Sequence, residues 1–105
     1  PLTHDEVRTI AMQHLARIEA TLRDRRKTLI VDDGAVDAIV KQGHSLAYGA
    51  RFLKRVIDDA VRVPISEKWS EGTQFHVRAV DGAVLVDAVG PRLIATGGAN
   101  LAYGT

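Results

Sequence analysis

Arg51 stands where a positive side chain is least at home. It follows Gly49-Ala50 in the first turn of a predicted helix, and a cation there faces the positive end of the helix dipole at a cost of about 0.3–1 kcal/mol. Helix N-termini attract anions, phosphates above all. The small residues before the arginine let a ligand approach closely. A guanidinium so placed suits bidentate contact with a phosphate. The bland alternative is an ion pair with Asp5 or another carboxylate. Spacing alone does not separate the two.

Other candidates carry less. His4, His14, His44 and His76 lie far apart in the chain, no pair has metal-ligand spacing, and they read as ordinary surface histidines. Asp58-Asp59 are helical neighbours, which point about 100° apart, so they read as a solvated face rather than a paired acid and base. Asp32-Asp33 read as a helix cap. Arg23, Arg25, Arg26 and Lys27 can touch phosphate, but the commoner reading is the cationic end of an amphipathic helix. No G-x-x-x-x-G-K-[ST] occurs, so the chain cannot cradle a nucleotide's phosphates by itself.

The elements that must position these residues can be read in order. Thr3 and Glu6 form a capping box, with Leu2 and Val7 at the staple positions. Val7, Ile10, Ala11, Leu15, Ile18 and Leu22 then follow at helical spacing, which predicts a helix over 4–26. Thr28–Val31 reads as a strand. A second helix is expected over 33–42, with Ala35, Val36, Ile39 and Val40 as its buried face and Gly43 as its stop. After a loop over 44–49, a third helix is predicted from about Ala50 to Trp69. Its stripe is Leu53, Val56, Ile57, Ala60, Val61, Ile65 and Trp69, and Pro64 should kink or divide it. Phe75–Val80 and Ala83–Ala88 read as strands joined by an Asp81-Gly82 hairpin turn. The expected fold is α+β: three main helices, the third kinked at the proline, on a small three-stranded sheet. The domain is expected over 1–89, with a Gly-rich tail over 90–105.

At 105 residues the chain supports one compact domain. Fourteen Lys and Arg against thirteen Asp and Glu leave a net charge of +1, without the basic excess of a dedicated nucleic-acid binder. The absence of cysteine excludes a disulfide scaffold, a Cys-rich zinc module and a thiol nucleophile, and fits a reducing compartment. Residues 1–27 are charged throughout, unlike a secretory signal, and Pro1 without a preceding methionine reads as the start of a fragment.

Tyr48-Gly49-Ala50-Arg51-Phe52-Leu53-Lys54-Arg55-Val56-Ile57 resembles the Y-G-A-R-P-L-x-R-x-I motif in the C-terminal small domain of Clp/ClpB-type AAA+ ATPases. The capped first helix, Leu29-Ile30-Val31-Asp32-Asp33-Gly34-Ala35, Gly43, Pro64-Ile65 and the Gly72 turn fall in that family's order. The likeness covers about residues 2–88. It implies that Arg51 is the second sensor, reaching the γ-phosphate of ATP, while Tyr48, Gly49 and Ala50 shape the approach. It further implies ATP with Mg held mainly by a large AAA+ domain of the same chain, and neighbouring subunits of a homohexamer. Unfolded or aggregated protein would be the substrate, with a peptidase as an optional partner. The implied setting is the cytoplasm, with an organelle lumen such as the mitochondrial matrix as the alternative, without membrane or nucleic acid, and the fragment alone would be inactive. Two positions depart from the pattern: Phe52 replaces the motif proline, and Gly43-His44-Ser45-Leu46 replaces G-Y-D-P.

Two other readings stand beside this one. A free-standing module holding RNA or another polyanion is disfavoured by the near-neutral charge and by only 5% aromatic residues for stacking bases. A purely structural interaction domain would use Arg51 as an ion-pair partner.

Overall fold

Helix α1 (His4–Asp24) begins as its sequence dictates. The Thr3 hydroxyl accepts the Glu6 N–H at 3.2 Å, and the Thr3 N–H donates to Glu6 Oε1 at 2.9 Å. The chain is described by a computed structural model over residues 3–45 and 50–90. α1 stops two residues before the expected end. Arg26 adopts the left-handed conformation (φ 63°), its N–H donates to the Arg23 carbonyl, and the Lys27 N–H donates to the Leu22 carbonyl. These bonds form the glycine-type helix stop, here built on an arginine. Only Arg23 of the expected cationic group therefore lies in the last helical turn.

The stop delivers Lys27 into the interior. Its side chain is 5% exposed, and Nζ donates to the carbonyls of Trp69 at 2.9 Å and Gly72 at 2.8 Å. It also lies 4.6 Å from the centre of the Trp69 ring and 5.6 Å from that of Phe75. Burial lowers its pKa from the ordinary lysine value. Lys27 thus ties the end of α1 to the turn that feeds the central strand.

β1 (Thr28–Val31) leads to α2 (Asp33–Ser45). The Asp32 carbonyl accepts the Ala35 and Val36 N–H groups, while its carboxylate binds His76 Nε2 at 2.7 Å. α2 runs past Gly43, against expectation, because Gly43 is a packing residue. A Cβ there would lie 2.6 Å from Leu53 Cδ1, and Leu53 is 1% exposed with nowhere to retreat.

The long third helix is wound in three pieces: α3 (Ala50–Ile57), a π-helical turn (Asp58–Arg62) and α4 (Val63–Glu67). The winding changes ahead of Pro64, not at it. The Val63 N–H donates to the Asp58 carbonyl five residues back. Pro64 has no N–H, and its ring would crowd the Ala60 carbonyl in an unbroken α-helix, so the wider turn accommodates it. A 3₁₀ turn (Trp69–Glu71) follows, taking Trp69 out of the helix and stacking it on Phe75.

β2 (Gln74–Val80) and β3 (Ala83–Val89) complete a sheet of order β1-β2-β3. β2 lies parallel to β1, with Thr28 opposite Gln74, and antiparallel to β3. The intervening helices supply the crossover that a parallel pair requires. Asp81 (φ 53°) and Gly82 (φ 81°) make the two-residue turn with both φ positive, as the Asp-Gly signal implies. One sheet face, carrying Leu29, Phe75, Val77 and Val86, meets the helices in a single core with Leu15, Ile18, Ile39, Leu53 and Ile57.

One polar contact fixes the helix that carries Arg51. His14, buried on the inner face of α1, places Nε2 3.0 Å from Asp58 Oδ1, which also accepts from Arg62 Nε at 3.3 Å. The hydrogen bond from His14, and after it the bond from Arg62, hold the Asp58 carboxyl below its usual value of 3.8 against a desolvation that would raise it.

Three outcomes follow from this packing. Lys27→Met leaves two inward carbonyls unmatched and should lower stability by about 1–3 kcal/mol in urea denaturation; an unchanged midpoint would contradict the tie. Arg26→Gly relieves the left-handed arginine and should raise stability by about 0.5–1 kcal/mol. The depressed Asp58 pKa means the unfolded chain takes up the proton first, so stability is full above the ordinary carboxylate range and falls as pH drops through it. Asp58→Asn should therefore flatten stability between about pH 5 and pH 2 relative to the parent, and parallel curves for the two proteins would rule this out.

Candidate functional site

The site is built from the first turn of α3. Ala50 opens the helix, Arg51 follows it and is exposed, and no acidic residue lies in that turn. Tyr48 and Gly49, which should shape the approach, lie outside the described residues. Phe52, in place of the motif proline, is partly buried. Below Arg51, the buried Leu53 and Ile57 anchor α3, Leu53 against Gly43 of α2. At the far end of α3, His14 holds Asp58. The arginine is thus an exposed cation on a seated helix.

Arg51 forms no ion pair among the described residues, with Asp5 or with any other carboxylate. The Asp5 backbone carbonyl instead accepts the Thr9 hydroxyl within α1. Other arginines have partners: Arg8 with Asp37 at 2.6 Å, Arg23 with Glu19 at 3.5 Å, Arg62 with Asp58, and Arg78 with Asp87 across the β2–β3 pair. Chemically, Arg51 offers a guanidinium that no carboxylate among the described residues claims, at the positive end of a helix, an arrangement that an anion would relieve.

The remaining sequence candidates sort differently from expectation. His14 is not a surface histidine but 7% exposed. The signal was available, because His14 falls on the same helical stripe as Val7, Ala11, Leu15 and Ile18. His4 and His44, distant in sequence, meet edge-on with ring centres 5.8 Å apart, and His76 pairs with Asp32. Asp58 is not part of a plain solvated face, since it is held by two partners, whereas Asp59 is exposed. Arg25 and Arg26 are exposed while Lys27 turns inward, so the basic group is not one patch. Among the described residues, no three His, Asp or Glu side chains gather where a metal ion could be held. No described helix is long and apolar enough to cross a membrane.

Comparison with known proteins agrees with this architecture. A family described as the C-terminal, D2-small domain of ClpB protein matches residues 2–81. Chaperone protein ClpB 1 of Synechocystis is 37% identical over 91 residues, spanning 82% of this chain and 10% of that protein. The ClpB chaperone of Clostridium tetani is 39% identical over 76 residues, 72% of this chain and 9% of its own length. That of Vibrio cholerae is 35% identical over 89 residues, 80% of this chain and 10% of its own. The chain spans about a tenth of the length of these curated relatives. A capped first helix, a mixed three-stranded sheet and an arginine in the first turn of the third helix are thus joined to a family match over most of the chain: it belongs to the ClpB C-terminal D2-small domain family.

Proposed function

We propose that this chain is the nucleotide-sensing and subunit-packing small domain of a ClpB-type, ATP-driven protein disaggregase, with Arg51 as the sensor of the ATP γ-phosphate. The observation that carries this reading is the exposed Arg51 in the first turn of α3, unclaimed by any carboxylate among the described residues. ATP enters as substrate with its Mg ion, held mainly by a large ATPase domain, and this chain contributes the one guanidinium. No phosphate-cradling loop occurs in the sequence, so the chain alone hydrolyses nothing.

The γ-phosphate carries the charge that changes most between ATP and ADP. A guanidinium bound to it through paired hydrogen bonds is drawn in while ATP is present and released after hydrolysis. Because α3 is buried against α1 and α2, a displacement of the phosphate beyond the reach of the Arg51 side chain would carry the small domain with it. Phosphate state thereby becomes rigid-body rotation. Packing against the large domain and a neighbouring subunit would pass that rotation around a homohexamer acting on aggregated or unfolded protein in the cytoplasm.

A hydrogen bond to a charged group contributes about 1.5–3 kcal/mol. Arg51→Ala in the full-length parent should accordingly lower ATP turnover, or its coupling to disaggregation, about ten- to a hundredfold. Arg51→Lys, which keeps charge but loses the fork, should recover only part of it. Parental rates for both turnover and disaggregation in Arg51→Ala would refute the sensor role.

A further inference from the structure

A groove of about 170 Å³ runs between α1 and α3, one turn along from Arg51. Its walls are Ile10, Gln13, His14 and Arg17 of α1 and Leu53, Lys54 and Ile57 of α3. Leu53 and Ile57 close its floor, and the partly buried Ile10 presents apolar surface at its side. Arg17 and Lys54, both exposed, stand on its rim, and neither forms an ion pair among the described residues.

No carboxylate lines the groove among those residues. Asp58, four residues after Lys54, is occupied by His14 and Arg62. The cleft on the other side of α1 is lined instead by Glu19 and Asp33, of which Glu19 pairs with Arg23. The groove is thus locally cationic, although the chain as a whole carries only +1.

We propose that the α1–α3 groove docks an acidic amphipathic protein segment. An apolar side chain of that segment seats beside Ile10, and its carboxylates pair with Arg17 and Lys54. Charge complementarity selects the partner: two cations with no ion pair among the described residues flank a cleft floored by aliphatic side chains, which suits a helix or strand alternating acidic and apolar side chains. Nucleic acid fits worse, because no Phe, Tyr or Trp among the described residues lines the groove to stack a base. The inference does not depend on the nucleotide reading, since neither rim residue is given a role in sensing phosphate.

The test is a titration of the isotope-labelled chain, followed by amide chemical shifts. The probes are a synthetic amphipathic helical peptide of leucine and glutamate, its leucine–glutamine counterpart, and an oligothymidylate. The glutamate peptide should shift amides of residues 10–17 and 53–57. The double variant Arg17→Glu/Lys54→Glu should weaken that binding about tenfold or more. A control reversing two cations elsewhere, Lys41→Glu/Arg25→Glu, has the same net charge and should bind like the parent. Unchanged thermal midpoints would show that both variants fold. Equal binding of the glutamine peptide, no effect of the rim variant, equal loss in the control, or stronger shifts at these amides with oligothymidylate would each overturn the proposal.

Discussion

The seating of α3 is the constraint on which the account of this domain rests. Leu53 and Ile57 are buried almost completely, Gly43 gives up its side chain so that α2 can approach Leu53, and His14 reaches across from α1 to Asp58. Apolar contact fixes how deep the helix lies, and the His14–Asp58 bond fixes its lengthwise position. Arg51 is exposed at one end of this seated helix, so its location is set by groups up to seven residues away. A flexible arginine on a loose helix would report a phosphate poorly, because its motion would not move the domain.

The same economy governs the cations. Lys27 is spent internally on two carbonyls and two aromatic rings, and four arginines are matched to carboxylates. Arg51, Arg17 and Lys54 on α1 and α3 have no ion-pair partner among the described residues, and the same holds for Arg25, Arg26, Lys41, Arg55 and Lys68. A chain of near-zero charge can still set cations beside a groove that no carboxylate among the described residues lines.

Much of the fold was legible because local chemistry and tertiary demand agree. Thr3 and Glu6 announce α1, Asp81-Gly82 supplies the positive φ pair of the hairpin, and the apolar stripes locate the buried faces. What escaped was decided by neighbours distant in sequence. Arg26 stands where a glycine would have marked the helix stop, and Lys27 looks cationic and exposed until Trp69 and Gly72 are brought to it. Gly43 carries the usual signal of a helix end, yet its reason is the approach of Leu53. Pro64 marked an irregularity whose place, Asp58–Arg62, depends on how the preceding turn accommodates the ring. Arg51 was singled out by type and position, but whether a described carboxylate claimed it could be learned only from the packed chain.

The most direct measurement is the position of the Arg51 guanidinium in the full-length parent, determined with a non-hydrolysable ATP analogue and again with ADP. The account predicts a guanidinium within about 3 Å of γ-phosphate oxygens in the ATP state, and a small domain rotated away in the ADP state. An Arg51 that stays in solvent in both states, or pairs with a carboxylate while the γ-phosphate is bound by other groups, would contradict it.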